Sequence, residues 1–476
     1  MSDLHHLTAA EQLRALRLRT ISSRDLTQHY LERIDRLDRH VGAFVSVQPE
    51  QAMAAAAGAD ERLAAGESAP LLGLPLGIKD LYATAGARTT FGSAAVPELT
   101  PPSDAWTVAL LRRAGAVLIG KTNTAEFGAT CYTHNEVTDR PAVTPYDVTR
   151  YASGSSGGAA AAVAAGLLPL AHAGDGAGST RTPAATCHLV GLKPSRGLVT
   201  STVPPPSLVS TTIEGPITRT VEDAALLLDV MAQPWCGDPE GWRPELSFAD
   251  AITQPLERSL RVATWTATGL EDTSPHPQTV AAVERTATLL REMGHTVREV
   301  PVPAVCDPTV RAALHTWFAA SVDMVVSALV PADRRHLLLP YTRHLATAGA
   351  ALSGGDVLAA QAVLARYASA FLAALDGFDV ALTPVTSGPP VPVGHFTAEG
   401  VEAVADSMLA WSCYTPWANL TGQPAICLPS HIDRDGLPHG VQLVGRPRQD
   451  ALILVLAAEI ERAVRWDDVH PSCWDQ

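Results

Sequence analysis

The chain has 476 residues, of which 46% are hydrophobic and 18% charged, and its formal net charge is −14. A chain of this composition can bury a large core, which excludes disorder of the whole chain. The excess of acidic over basic residues argues against a nucleic-acid-binding protein, because that class needs clustered positive charge.

Neither the N-terminal segment nor the cysteines indicate export, a membrane or a metal. Residues 1–10 lack the basic start and apolar core of a secretory signal, and the chain has no run of about 18 apolar residues. We therefore expect a cytoplasmic protein with no membrane partner. The seven cysteines are widely spaced and form no CxxC pair. This spacing predicts neither a disulfide framework nor a zinc site, and we expect no metal or other cofactor.

The pattern of apolar residues predicts an α/β fold. Thr8–Glu11 and Ser22–Asp25 have the spacing of helix caps, which predicts two N-terminal helices within residues 1–70. From about Leu71 onward, short apolar runs alternate with helical ones, as in a sheet covered by helices. Strands are predicted at residues 74–78, 116–119, 260–264, 296–300, 380–382, 425–428 and 441–444. Helices are predicted at residues 106–113, 220–231, 277–293 and 450–464.

Residues 309–375 are rich in alanine and leucine with helical periodicity, interrupted at Pro331, Pro340 and the pair Gly354 and Gly355. We interpret residues 301–378, to within a few positions, as a helical insertion that covers the substrate pocket, although a purely structural role would give the same pattern. No internal repeat or low-complexity linker divides the chain. We therefore expect one domain over residues 1–476, with the catalytic core at residues 71–232.

Lysine is rare in this chain. The only lysines are Lys79, Lys121 and Lys193, so arginine supplies almost all of the basic charge. A biased genome composition explains the missing lysines but not the three that remain, all of which lie in apolar, glycine-flanked segments. Lysine differs from arginine in that it can lose its proton when it is desolvated. At least one of the three is therefore a candidate for a neutral amine base.

Two Gly/Ser-rich stretches, at residues 153–159 and 174–181, are candidates for the site of chemistry. Glycines around hydroxyls let the backbone approach a ligand and turn its N–H groups toward it. One interpretation is the G-x-S-x-G elbow of an α/β-hydrolase with Ser156 as nucleophile, but the preceding residues 146–151 are too polar for the buried strand that an elbow needs. Another is a phosphate-binding loop, but no lysine follows Gly158 as such a loop requires.

A third interpretation places both stretches and Lys79 in one site. The span from Gly154 to Pro194 resembles the amidase signature family, and the resemblance covers nearly the whole chain. Further motifs in the order of that family are GIKD at 77–80, GKTN at 120–123, RTVEDAA at 219–225, NLTGQPA at 419–425 and GLPHGVQ at 436–442. The resemblance implies an α/β fold with one central mixed, mostly parallel twisted sheet that is covered by helices on both faces.

The resemblance also implies a Ser-Ser-Lys triad. Ser179 takes the place of the nucleophile, Ser155 that of the bridging residue and Lys79 that of the terminal base. In the family a cis peptide bond precedes the bridging serine, and here that bond would join Gly154 to Ser155. Gly154 and Ser156 are then expected to support the site.

The chemistry of these residue types fits the roles. A serine hydroxyl is a poor nucleophile at neutral pH and needs a base to remove its proton as it attacks. The apolar segment before Lys79 favours burial of the amine, and burial disfavours the ammonium form. A hydroxyl between the two, that of Ser155, can accept one proton while it passes on another.

The loop before Ser179 is expected to bind the oxyanion that forms during attack on a carbonyl group. The predicted donors are the backbone N–H groups of Gly176, Ala177 and Gly178. Asp175 and Arg181 are expected to brace the loop as a buried pair without reacting. Ala177 stands where the family usually has glycine, so a positive φ there would cost about 1 kcal/mol or more.

The substrate pocket is harder to read from the sequence. Its candidate residues are Cys131, Tyr132 and Trp411.

The overall prediction is a serine amidohydrolase that acts on a carboxamide or an ester of a small organic molecule, as a monomer or homodimer. Two alternatives remain open. One is the A subunit of a glutamine-dependent tRNA amidotransferase, which would need partner subunits, and the other is a catalytically idle relative that serves as a binding scaffold.

Overall fold

A computed structural model of the protein describes residues 4–200 and 210–476. Up to residue 200 the α-helices are α1 (Ala9–Arg17), α2 (Ser23–Val41), α3 (Pro49–Ala64), α4 (Trp106–Arg113), α5 (Gly157–Ala164) and α6 (Arg181–Thr186). The strands in that part are β1 (Phe44–Val47), β2 (Pro75–Lys79), β3 (Val117–Thr122), β4 (Val143–Thr144), β5 (Asp147–Tyr151), β6 (Leu170–Asp175) and β7 (Val190–Lys193).

From residue 210 onward the strands are β8 (Ile213–Thr218), β9 (Arg261–Thr264), β10 (Thr296–Glu299), β11 (Val380–Pro384), β12 (Ala425–Ile432) and β13 (Pro438–Gly445). The α-helices there are α7 (Val221–Met231), α8 (Phe248–Ala251), α9 (Pro277–Glu292), α10 (Pro308–Leu329), α11 (Pro340–Ala350), α12 (Gly354–Ala374), α13 (Val404–Ser412), α14 (Pro416–Thr421) and α15 (Asp450–Val464). The predicted catalytic core also includes residues 201–209, which lie outside the described residues.

Eleven of the described strands form one sheet in the order β1-β3-β2-β6-β8-β7-β12-β13-β11-β9-β10. Every residue of β2, β3, β6, β7, β8 and β11 is buried, as expected for strands that are covered on both faces. The predicted mixed sheet with helices is therefore confirmed.

The expectation that this sheet is mostly parallel is wrong. Among its described strands, four neighbouring pairs are parallel and six are antiparallel. The antiparallel pairs are concentrated in the centre, from β6 to β11, where hairpins such as β12–β13 run back and forth. The parallel pairs lie toward the two ends, where strands alternate with helices along the chain.

The parallel pairing of β2 and β6 positions the candidate site. Gly77 of β2 pairs with Ala171 of β6, so the carboxyl ends of both strands lie at the same edge of the sheet. A Cβ at Gly77 would come within 2.6 Å of the Leu168 side chain, and glycine therefore allows this close packing. The last residues of the two strands are Lys79 and Asp175.

The predicted N-terminal helices are present, with their caps. The Thr8 hydroxyl accepts the Glu11 N–H and the Glu11 carboxylate accepts the Thr8 N–H, which completes the capping box of α1. The Ser22 hydroxyl caps α2 by accepting the Asp25 N–H. Such caps satisfy N–H groups that have no partner within the helix.

The Ala- and Leu-rich segment forms α10, α11 and α12, with α10 in contact with both of the others. By length and composition alone, Pro308–Leu329 and Gly354–Ala374 are apolar enough to cross a membrane. This property was not predicted from the sequence, because the criterion used there was an unbroken run of apolar residues and not the mean hydropathy of a helix. Core helices of water-soluble proteins meet the same two criteria, so the property assigns neither helix to a membrane.

Candidate active site

Lys79 ends β2 with its amine buried among hydroxyl groups. The residue is 1% exposed. Its Nζ lies 2.8 Å from Ser155 Oγ, 2.7 Å from Ser156 Oγ and 3.1 Å from the Gly174 carbonyl oxygen. The fold thus brings the lysine into contact with two serines that are 76 and 77 positions away in the chain.

The environment of Lys79 favours the neutral amine. Burial lowers its pKa from 10.5 to about 7, while the negative charges of Asp175 and Glu214 act in the opposite direction. A substantial fraction of the molecules therefore carries a neutral amine near pH 7. A neutral amine in hydrogen-bond contact with the Ser155 hydroxyl can accept a proton from it.

The other two lysines are as deeply buried as Lys79 but have different neighbours. Lys193 donates to two backbone carbonyl oxygens at 3.0 and 2.5 Å, and burial lowers its pKa to about 7 as well. Lys121 lies 3.1 Å from the Asp80 carboxylate and donates to a backbone carbonyl and to a threonine hydroxyl. Contact with serine hydroxyls, rather than the pKa alone, therefore distinguishes Lys79.

Ser155 and Ser156 lie where the chain enters α5. The peptide bond between Gly154 and Ser155 is cis. A Cβ at Gly154 would come within 2.6 Å of the Tyr132 backbone, so only glycine fits there. The Ser156 hydroxyl also contacts the Gly174 oxygen at 3.2 Å. Ser156, which is 0% exposed, therefore gives the Lys79 amine a second hydroxyl contact in the protein interior.

The surroundings of Ser156 differ from those of a nucleophile elbow. The strand before it, β5, belongs to a separate two-stranded sheet with β4. Only Tyr151 of the five residues of β5 is buried, whereas an elbow follows a buried strand of the central sheet.

Ser179 lies in the loop between β6 and α6 and lines a cavity of about 540 Å³. Of the three serines considered, it is the one that faces this cavity. The Ser156 N–H donates to the Ser179 carbonyl oxygen at 3.2 Å, which keeps the two serine segments side by side. Within the described residues no hydrogen bond joins the hydroxyls of Ser155 and Ser179. Such contacts often tighten only when substrate is bound.

Asp175 and Arg181 form a fully buried ion pair next to this loop. The guanidinium donates to Asp175 Oδ2 at 2.9 Å and to Oδ1 at 3.0 Å, and both side chains are 0% exposed. Burial opposes ionisation of Asp175, but the charge and hydrogen bonds of Arg181 outweigh it and hold the pKa of the carboxyl well below its usual range. The Asp175 carboxyl therefore stays ionised throughout the neutral range.

Two further side chains, which were not predicted from the sequence, brace this pair. Arg181 also donates to Asn419 Oδ1 at 2.6 Å and to Gln442 Oε1 at 2.9 Å. Asn419 in turn donates to the Asp175 carbonyl oxygen at 2.8 Å. Both residues belong to motifs that carried the family resemblance, so a signal was present, but a motif alone does not tell which side chain its members contact.

The prediction that Gly178 donates to the oxyanion is wrong. Its N–H already donates to Asp175 Oδ1 at 2.6 Å, because this carboxylate binds the loop backbone as well as Arg181. The positive φ of the loop, 129°, also falls at Gly178, so Ala177 escapes the strain that its replacement of glycine had suggested. In the described parts of the chain the N–H groups of Gly176 and Ala177 make no hydrogen bond, and both line the cavity.

The cavity next to Ser179 has a largely apolar lining and a charged rim. Helices α10, α11 and α13 supply most of its wall. Its larger apolar side chains are Leu314, Phe318, Tyr341, Met408 and Leu409. Two exposed carboxylates, Glu402 and Asp406, lie at the rim. The helical insertion thus contributes directly to the wall of this cavity.

Of the three predicted pocket residues, only Cys131 lines the cavity. Tyr132 stacks on Phe396 with ring centroids 5.3 Å apart, and Trp411 meets Phe396 edge-on at 5.8 Å. The α13 residues that line the cavity are Ala405, Asp406, Met408, Leu409 and Ser412. This spacing turns Trp411 to another side of the helix, where its indole N–H donates to Pro389 O at 3.1 Å. The structure therefore brings Cys131 to this cavity but not Tyr132 or Trp411.

The arrangement has the parts that attack on a carbonyl carbon requires. These parts are a serine that lines a cavity, two neighbouring backbone N–H groups with no hydrogen bond in the described part of the chain, and a second serine hydroxyl in contact with a buried amine. In the described ranges no group of three or more His, Cys, Asp or Glu side chains could hold a metal ion.

Comparison with known proteins identifies the class. The Amidase family model matches residues 25–454. AmiB2 of Mycobacterium tuberculosis is 39% identical over 474 residues, which cover 99% of both chains. An acylamidase of Rhodococcus erythropolis is 33% identical over 477 residues, which cover 99% of this chain and 98% of the acylamidase. The crystal structure of a bacterial aryl acylamidase has a TM-score of 0.88 to this chain, with 26% identity over 98% of each chain.

These likenesses define an enzyme that hydrolyses amides, as the site geometry also indicates. The chain belongs to the amidase signature family, which confirms the resemblance noted in its motifs.

Proposed function

We propose that the protein is a serine amidohydrolase in which Ser179 is the nucleophile, Ser155 the bridging acid and base, and neutral Lys79 the terminal base. The observation that carries this proposal is the buried Lys79 Nζ, 2.8 Å from Ser155 Oγ. A desolvated amine in contact with a relay hydroxyl is what activation of a neighbouring serine requires.

In the acylation step the Ser179 oxygen forms a bond to the substrate carbonyl carbon. Its proton passes to Ser155, whose own proton passes to Lys79. The carbonyl oxygen becomes an oxyanion, which the N–H groups of Gly176 and Ala177 stabilise. The carbon–nitrogen bond then breaks, and the amine leaves with the proton returned through Ser155. In the second step a water oxygen forms a bond to the acyl carbon while the same relay takes the water's proton. The bond from that carbon to Ser179 Oγ then breaks, the relay returns the proton to Ser179, and the carboxylic acid leaves.

The cavity supports a small substrate with an apolar portion. A volume of about 540 Å³ with a mainly apolar lining is in the range of small-molecule sites. The similarity to proteins named acylamidase and aryl acylamidase supports a carboxamide as the substrate, with an ester as the alternative. We propose that the enzyme acts as a monomer or homodimer without partner subunits. Hydrolysis of simple amides by the purified chain tests this, since an amidotransferase subunit would need its partners and glutamine.

Labelling with a fluorophosphonate tests the nucleophile. We expect one adduct per chain by intact mass, located on Ser179, because this hydroxyl faces the cavity and has the relay behind it. The adduct should be lost in Ser179→Ala and retained in a Ser153→Ala control, which removes a nearby serine outside the relay. An adduct on Ser156 would contradict the assignment and restore the elbow interpretation.

The rate of this labelling should rise with pH through about 7. The group whose deprotonation is required is Lys79, and its pKa is lowered to about 7 by burial. Below that pH the ammonium form predominates and the rate falls roughly tenfold per pH unit, whereas above it the rate reaches a plateau. The labelling rate measured from pH 5 to 9 checks this. A rate that is still rising steeply at pH 9 would mean that the essential base is not a lysine with a lowered pKa.

A further inference from the structure

A buried glutamate and histidine lie close to Lys79 and take no part in the mechanism above. Glu214 is on β8 and His172 on β6, and both residues are 0% exposed. His172 Nε2 lies 2.7 Å from Glu214 Oε2. Glu214 acts on Lys79 as a negative charge, and because a carboxylate can only accept a hydrogen bond, the ring N–H of His172 is assigned as the donor. The other oxygen, Glu214 Oε1, has no hydrogen-bond partner within the described residues, which makes this carboxylate costly to bury.

The register of the sheet puts Glu214 next to the backbone that holds Lys79. Glu214 pairs with Gly174 across β8 and β6, and the Gly174 oxygen lies 3.1 Å from Lys79 Nζ. A Cβ at Gly174 would come within 2.1 Å of the Tyr82 hydroxyl. The Tyr82 ring meets the ring of His172 edge-on at 4.6 Å. All five residues therefore belong to one buried cluster around Gly174.

The charged and titratable groups that face the amine of β2 come from β6, β8 and the loop after β2. The Asp175 charge is compensated by its bidentate pair with Arg181. Burial raises the pKa of Tyr82 well above its usual value, with the charges of Glu214 and Asp175 adding to this, so the phenol is neutral. Among residues 4–200 and 210–476, Glu214 receives one side-chain hydrogen bond, from His172, and contacts no guanidinium. The negative charge of Glu214, unlike that of Asp175, is therefore not compensated by an arginine in this cluster.

We propose that Glu214, oriented by His172, is a positioning residue that stabilises the ammonium form of Lys79 during acylation. This inference rests on the proposed role of Lys79 as base. A negative charge in a protein interior stabilises a nearby cation more strongly than it would in water. Glu214 therefore opposes the effect of burial, which by itself would leave the amine too weak a base to hold the nucleophile's proton.

The test is the pH dependence of Ser179 labelling by a fluorophosphonate in Glu214→Gln. This change removes the negative charge and keeps both the shape and an acceptor for His172. The acid limb of the profile is the pH range below the plateau, in which the labelling rate rises with pH. We expect this limb to move to lower pH by about one unit. The plateau rate should fall by roughly three- to tenfold, because the amine has become a weaker base. A structural role alone would lower the rate equally at every pH, so an unmoved acid limb would overturn the proposal.

The matched control is Glu222→Gln, which removes an exposed carboxylate on α7 and should leave the profile unchanged. Two His172 variants give a second test that does not require Glu214→Gln to fold. His172→Gln keeps an N–H donor for Glu214, so its acid limb should coincide with that of the wild type. His172→Phe removes the hydrogen bond that orients Glu214, so the limb should shift in the same direction as in Glu214→Gln. Identical limbs in the two His172 variants would contradict the proposal.

Failure of this inference is distinguishable from failure of the proposed function. If Lys79 is not the base, Lys79→Ala retains activity and the wild-type profile has no limb near pH 7. If only the role of Glu214 is wrong, Lys79→Ala is inactive and the wild-type limb stays near pH 7, while the Glu214→Gln limb coincides with it.

Discussion

Lys79→Ala is expected to lower kcat by about 10³-fold or more, and Lys79→Arg to perform no better. Alanine removes the base that receives the Ser179 proton. Arginine restores a positive charge of similar length, but a guanidinium does not give up its proton in neutral solution and so cannot act as a base. The measurement is kcat on a simple carboxamide, or the rate of fluorophosphonate labelling at pH 8. Appreciable activity in the arginine variant would refute the neutral-amine role.

Lys193→Met is the matched control for this comparison. Lys193 is also fully buried, and its pKa is lowered to about 7 in the same way, but it donates only to backbone carbonyl oxygens. We expect the variant to be less stable, because two buried carbonyl groups lose their donor. The folded protein should nevertheless retain a rate within a few fold of the wild type and an acid limb near pH 7. A loss comparable to that of Lys79→Ala would show that any buried lysine is required.

Arg181→Met should lower the free energy of unfolding by about 3 to 5 kcal/mol. The change keeps an apolar stem of similar length but leaves the Asp175 carboxylate buried without its partner, and Asn419 and Gln442 also lose the guanidinium. Denaturant unfolding followed by circular dichroism measures the effect. Activity should fall as well, because Asp175 holds the Gly178 N–H next to the nucleophile.

The control is Arg14→Met on α1. Arg14 pairs with Glu222 at 3.1 Å, but the two side chains are 55% and 47% exposed. Exposed pairs contribute little, so the free energy of unfolding should change by less than about 1 kcal/mol. Equal effects in the two variants would mean that the pair of Asp175 and Arg181 does not brace the fold.

The elements with strong periodicity or clear caps could be predicted from the sequence. Helices α4 and α15 begin and end where the pattern indicated, because an apolar stripe at helical spacing needs a buried face. Strands β6, β7 and β8 were among those that were not predicted. The sequence of β8 includes Gly215 and Pro216, which both disfavour strands, and pairing with β6 and β7 on either side outweighs that preference. These unpredicted strands lie in the antiparallel centre, which explains why the sheet was expected to be mostly parallel.

In the candidate site, the sequence could assign residue types to roles but not their contacts. The resemblance named Lys79, Ser155 and Ser179, and the apolar flank indicated a buried amine. The hydrogen bond from Gly178 to Asp175 could not be predicted, because it depends on the path of the loop and not on residue type. The direction of Trp411 depends in the same way on the phase of α13, and one position along a helix decides which side it faces.

The burial of every lysine has a consequence for how the folded chain meets reagents. Lys79, Lys121 and Lys193 are each at most 1% exposed, so the native surface offers acylating chemicals no side-chain amine. Chemical modification of a lysine is thereby confined to molecules that have unfolded, at least locally. The rate of modification therefore reports the rate of unfolding. The same burial protects the proposed base from adventitious electrophiles, even though a neutral amine is intrinsically more reactive than an ammonium ion.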